Sequence, residues 1–192
     1  MPADVLPPWE ERLEAIVSLM RDMSLLSDPQ EIARMYSKRV RAVFPNDGVI
    51  SISRRSLDAP FYKVTRATAW ELPGGAGQPD PWREPHRLPV HSSGLLGELL
   101  YGDKPVLIPD LRVAEDDPCR ALFLNARSAA AIPQYEGGKA LNMVVVLNNR
   151  PGAMDPERFP ELVQQSNLFG ARQAIWCSRA RRKRRTKRST AS

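Results

Sequence analysis

An α+β fold built on an antiparallel sheet is predicted by three observations. Two runs rich in β-branched residues, GVISISRR and YKVTRATAW, are separated by a short Ser-Leu-Asp-Ala-Pro turn. Gly137-Gly138 stands between SAAAIPQY and KALNMVVVLN, and glycine tolerates the positive φ that a two-residue hairpin turn needs. Apolar residues at spacings of three and four occupy both ends of the chain, outside these strands.

The first helix is expected to begin after Pro7-Pro8. It carries Leu13, Ile16, Met20 and Met23 as a coiled-coil style seam that Val17 and Leu19 widen. Asp28-Pro29-Gln30-Glu31 then gives a capping aspartate, a proline at the first helical position and a glutamate three residues after the cap. The helix that follows presents Ile32, Met35, Tyr36, Val40, Val43 and Phe44, and Pro45-Asn46-Asp47-Gly48 ends it. In the first strand Ile50 and Ile52 share one face, Ser51 and Ser53 the other.

From Glu71 to His91 the chain holds five prolines and three glycines with no regular period, which predicts a long loop with Trp82 alone among polar residues. Its Gly-Ala-Gly is not a dinucleotide fingerprint, because no strand precedes it and no helix follows. GLLGELLYGDKPVLIPD, from Gly94 to Asp110, reads as a short helix, a reversal at Tyr101-Gly102-Asp103 and a brief apolar strand. AEDDPCRALFLNARS reads as a polar helix start. The run Met143 to Leu147 predicts a central strand covered on both faces, and Pro133 predicts an interrupted ladder in its neighbour. A last helix is expected from Asp155 or, because of Pro160, from near Arg158. Its stripe is Phe159, Leu162, Val163, Phe169, Ile175 and Trp176.

The order and spacing of these segments, above all Gly94 to Asp110 and Ala114 to Arg150, resemble a GAF domain over roughly Trp9 to Ala174. The likeness is to the kind that precedes a sporulation-type PP2C serine phosphatase or a histidine kinase in bacterial signalling proteins. It implies a sheet of five or six antiparallel strands, related to profilin and PAS folds, with helices on one face and a pocket on the other. The implied divisions are an N-terminal helix at 1–27, a core at 28–154, a C-terminal helix at 155–178 and a basic tail at 179–192.

Mapped onto this chain, the resemblance implies a pocket walled by Trp70, Leu96, Leu99, Asp110, Phe123 and Ser128, with Trp82 as a lid. Such walls suit a small, partly apolar ligand and equally suit a filled core. It also implies a homodimer through Leu13, Ile16, Met20 and Met23 and, on the last helix, Leu162 and Phe169, which relays a signal to an effector phosphatase or kinase in trans. The expected function is that of a non-catalytic sensory and regulatory domain.

Composition sets further limits. Eight of the 28 Lys and Arg lie in 179–192, which has no acid, so residues 1–178 hold 20 basic against 22 acidic groups. The basicity belongs to the tail. Arg181, Arg182, Lys183, Arg184 and Arg185 are its candidates for non-specific contact with nucleic acid or another acidic surface. No aromatic residue interleaves them, which speaks against sequence-specific recognition. The abrupt change of composition after Cys177 also fits a chain whose effector domain has been lost.

Cys119 and Cys177 form no framework, and no signal-peptide pattern opens the chain, so a cytoplasmic protein is expected. No apolar run is long enough to span a membrane. His86 and His91 read as exposed loop residues, and with no CxxC a metal site is not expected. GAF-type reduction of free methionine sulfoxide needs several pocket cysteines, whereas only Cys119 is a candidate here. No histidine follows Cys119 as in bilin-attaching domains, and the Asn-Lys-Phe-Asp-Glu set of cyclic-nucleotide binders is missing. No catalytic residue and no covalent chromophore are therefore expected, and Cys119 reads as a buried small residue.

Overall fold

A computed structural model describes residues 9–26, 28, 31–32, 34–36, 38, 41, 44–73, 81 and 84–170. The chain divides into two compact units, one of residues 1–45 and 176–192, the other of Asn46–Ile175.

In the first unit, helix α1 spans Trp9–Leu25 with Glu10 and Glu11 in its first turn, where acids suit the helix dipole. Leu19 and Met23 are buried, while Trp9, Leu13 and Met20 are exposed. Residues 31–32, 34–36, 38 and 41 are helical, and the Ile32 amide donates to Asp28 O, so this helix starts where the Asp-Pro signal places it. Ile32, Tyr36 and Phe44 are buried. Val40 and Val43 lie outside the described residues.

The second unit is built on a six-stranded antiparallel sheet in the order β3-β2-β1-β6-β5-β4. Its strands are β1 (Gly48–Ser53), β2 (Tyr62–Ala67), β3 (Val90–His91), β4 (Val106–Ile108), β5 (Ser128–Glu136) and β6 (Lys139–Asn148). The β1–β2 hairpin forms as expected. The second strand, however, stops at Ala67, and Thr68–Glu71 becomes the one-turn helix α2. The Thr68 hydroxyl accepts the Val49 amide at 2.9 Å, so a side chain takes the bond that a continuing ladder would have made.

Gly137 and Gly138 take φ of 59° and 78° between the paired residues Glu136 and Lys139, the two positive values a type I′ turn demands. Strand β6 is central, and its neighbour carries an irregularity between Gln134 and Tyr135, just after Pro133. Helix α3 (Leu95–Gly102) ends at Asp103, which takes the left-handed conformation that aspartate tolerates better than most residues.

One sheet face buries Ile50, Ile52, Val64, Ala129, Ala131, Met143, Val145 and Leu147 against Leu96, Leu99 and Leu100 of α3. On the other face a helix at 159–170 is tied to β5, where Gln134 Nε2 donates to Ser166 O and Oγ at 3.3 Å. That helix begins after Pro156 and just past Arg158, with Asp155 Oδ1 accepting the Glu157 amide. Ile175 and Trp176 of its expected stripe lie outside the described residues.

The expected helix near Glu115 does not form. Residues 114–119 make turns and Arg120–Phe123 a short 3-10 helix. Pro118 has no amide to donate, both Asp117 oxygens are engaged, and Leu124 at φ 54° breaks any continuation. The long loop is also interrupted, by a 3-10 turn at Pro85–Arg87 and by β3.

Candidate functional site

Among the described residues, the buried face covered by α3 is apolar except at one place, where β2 begins and β3 ends. Tyr62 and His91 are a cross-strand pair, and their rings stack at 5.5 Å between centroids. Tyr62 is fully buried beneath α3. A Cβ on Gly97 would stand 3.0 Å from its Cε1, so only glycine lets the helix lie this close over the ring.

The Tyr62 hydroxyl donates to Ser93 O at 2.8 Å and lies 3.6 Å from Cys119 Sγ, which is itself 3.7 Å from His91 Nδ1. A phenol has one proton. With that proton on Ser93 O, the thiol is the donor, to Tyr62 Oη or to the imidazole. Asp117 closes the cluster, its Oδ1 accepting the Cys119 amide and its Oδ2 the Leu95 amide, both at 2.7 Å. One carboxylate thus fixes the start of α3 to the loop that carries the thiol.

Burial dominates the electrostatics. It pushes the Tyr62 phenol far above its ordinary range, and the hydrogen bond with Cys119 adds to that. Burial also raises the Cys119 thiol; the Tyr62 hydrogen bond opposes this and the Asp117 charge reinforces it. His91 is lowered by burial, with Asp117 opposing. At neutral pH the three are an uncharged phenol, thiol and imidazole. A thiol held protonated is a hydrogen-bond donor rather than a nucleophile.

The histidine shift makes a pH prediction. The unfolded chain takes up a proton near the ordinary imidazole value of about 6.5 while the folded chain resists it, so the unfolded state binds more protons as pH falls through that value. The stability due to neutral His91 is whole above about pH 7 and is lost on acidification. Unfolding midpoints measured from about pH 7.5 to 5.5 should therefore fall more steeply for the wild type than for His91→Gln; parallel slopes would refute a proton-resistant His91.

Of the pocket residues expected from sequence, Leu96, Leu99 and Phe123 lie in one apolar cluster against which Trp70, on α2, packs half-buried. Ser128, at the start of β5, is buried with its hydroxyl donating to Arg150 O at 2.6 Å. Asp110 is exposed and paired with Arg112 at 2.8 Å. Trp82 and Arg181, Arg182, Lys183, Arg184 and Arg185 lie outside the described residues. Among the dimer candidates, Met23, Leu162 and Phe169 are buried, Ile16 is half-buried, and Leu13 and Met20 are each half exposed.

Sequence reasoning missed Tyr62, Asp117 and the role of His91, which is a half-buried strand residue and not an exposed loop residue. Cys119 is buried, as read. Among the described residues no group of three or more His, Cys, Asp and Glu is placed to hold a metal ion. No described helix is long and apolar enough to cross a membrane.

No protein-family model matches the sequence, and no curated protein does. Solved structures do match. The GAF domain of a phosphoenolpyruvate-protein phosphotransferase from Coxiella burnetii superposes with a TM-score of 0.64 at 13% identity, over 88% of this chain and 95% of that one. The free methionine-R-sulfoxide reductase of Neisseria meningitidis gives 0.57 at 11% identity, over 87% and 89% of the two chains. The chromophore-binding domain of an R. palustris bacteriophytochrome gives 0.57 at 13%, over 94% and 65%. Identities this low speak to architecture alone. The six-stranded antiparallel sheet, with α3 and the Cys119 loop over one face, is the GAF fold.

Proposed function

We propose that this chain is a cytoplasmic, non-catalytic GAF module in bacterial signal transduction. It dimerises through α1 and passes small-molecule or partner binding to an effector phosphatase or kinase in trans. The observation that carries the reading is the neutral Tyr62, His91 and Cys119 cluster, set in an otherwise apolar face beneath a short helix. Apolar walls with a few convergent polar groups are what a small-molecule site requires.

A reductase reading is supported less well. The Cys119 thiol is buried and held protonated, so it is poorly placed to act as a nucleophile. Dimerisation is supported by Trp9, Leu13, Ile16 and Met20, spaced four, three and four along α1, of which only Ile16 is not exposed.

Native mass spectrometry of the protein as purified tests both parts. The expected spectrum is a dimer carrying an added small mass, and the double variant Leu13→Glu, Met20→Glu should run as a monomer. A bare monomer at tens of micromolar would overturn the proposal. A bare dimer would leave a relay scaffold without a ligand.

A further inference from the structure

Strand β4 pairs with β5 only as far as Ala131, so among the described residues no strand neighbours the later part of β5 on that edge. Asn167, on the helix at 159–170, fills the gap. Its Oδ1 accepts the Tyr135 amide at 3.1 Å and its Nδ2 donates to Pro133 O at 2.9 Å. A carbonyl and the amide two residues on are the pair that the N–H and C=O of one residue in a parallel neighbouring strand would engage, so the carboxamide stands in for one such residue. The same Nδ2 donates to Val163 O at 2.9 Å, which fixes the side chain to its own helix.

Tyr135 faces a second element. Its hydroxyl donates to Asp103 O at 3.0 Å, at the C-terminal end of α3, while Asp103 Oδ1 accepts the Ala140 amide at 2.6 Å. The N-terminal end of α3 is held by Asp117, the carboxylate that also holds the Cys119 amide. One short helix, hydrogen-bonded at both ends, therefore joins the candidate site to the residue on which the helix at 159–170 is latched.

We propose that α3, Asp103, Tyr135 and Asn167 form a mechanical linkage through which displacement of α3 at the candidate site changes how the helix at 159–170 is held on β5. The proposal deepens the regulatory reading by naming its internal route. Tyr135 and Asn167 are positioning residues, and the linkage needs no ligand in order to be measured.

Gly97→Ala is the perturbation, because a Cβ there meets the Tyr62 ring at 3.0 Å and α3 or the ring must give by a few tenths of an ångström. The readouts are the Asn167 side-chain amide resonances and hydrogen exchange of the backbone amide at position 135. In the wild-type background Gly97→Ala should shift those resonances and speed that exchange roughly three- to tenfold, in the lower part of the range that coupled residues produce in mutant cycles. In a Tyr135→Phe background, which keeps the ring and removes the hydroxyl, the same substitution should change the exchange rate less than about twofold.

Equal effects in the two backgrounds would mean that the coupling bypasses Tyr135, and no effect in the wild type would mean that there is none. Either result overturns the linkage. Should Gly97→Ala not fold, Asp117→Asn perturbs the other end of the same helix and is read identically. These outcomes are independent of the mass-spectrometric test: a bare monomer there would remove the regulatory reading and leave the linkage standing, and a failed cycle would do the reverse.

Discussion

Tyr62→Ala is expected to cost about 3–5 kcal/mol, the range for deleting a fully buried aromatic ring. Nothing next to the ring can collapse into the space cheaply. Gly97 has no side chain to offer, His91 is fixed as the strand partner, and Cys119 is short. The substitution also leaves the Ser93 carbonyl without its donor and the thiol with one acceptor fewer. At this chain length the loss corresponds to a fall of roughly 10 °C in the thermal midpoint. Tyr62→Phe keeps the ring and should cost about 1–2 kcal/mol, the price of the unmet polar groups. Circular-dichroism melts of both variants decide the matter, and a loss below about 1 kcal/mol for the alanine variant would show that the ring is not part of the core.

Asp103→Ala should be nearly as damaging, at about 2–3 kcal/mol, for an electrostatic reason. The Arg54 side chain is only 12% exposed, and its Nη2 donates to Asp103 Oδ1 at 2.8 Å. Its Nε donates to Ala140 O at 2.6 Å, and the guanidinium lies 4.8 Å from the centre of the Tyr101 ring. Removing the carboxylate strands a half-satisfied cation and frees the Ala140 amide. The figure is set below that for a fully buried pair because Asp103 is itself 37% exposed and water can reach part of the site. Asp103→Asn, which retains an acceptor, should cost less. The double variant Arg54→Leu, Asp103→Ala should recover part of the loss, because the stranded charge is gone. Urea unfolding measures all four states, and an unchanged midpoint for Asp103→Ala would refute the network.

Much of the architecture was legible because it is written in local chemistry. The Gly137-Gly138 turn, the alternation at Ile50 and Ile52, and the apolar run of β6 each need only a few neighbouring residues to be recognised. The Leu95–Gly102 helix and the strand after it were equally plain. The end of β2 was not, because a threonine hydroxyl from outside the strand replaces a ladder bond, and β propensity alone carries the reading on through Trp70.

The candidate site was legible only in its apolar half. Leu96, Leu99 and Phe123 are hydrophobic residues in elements whose packing follows from the fold. The polar half depends on pairing across the long proline-rich segment. His91 has a role only once β3 lies beside β2, and Asp117 only once the expected helix at 115 gives way to turns. Two residues of strand amid five prolines carry no period that a sequence can display.

The margins of the sheet bear on how the protein keeps itself apart from its copies in a crowded cell. An open sheet invites another chain to add to its border, and such growth leads to aggregates. Here β3 is two residues long and follows Pro89, while β4 is three residues long between Pro105 and Pro109. Beyond β4, the border of β5 is occupied by the Asn167 carboxamide. A strand arriving from solution finds at β3 and β4 only short footholds beside prolines, and past β4 one rung that is already taken.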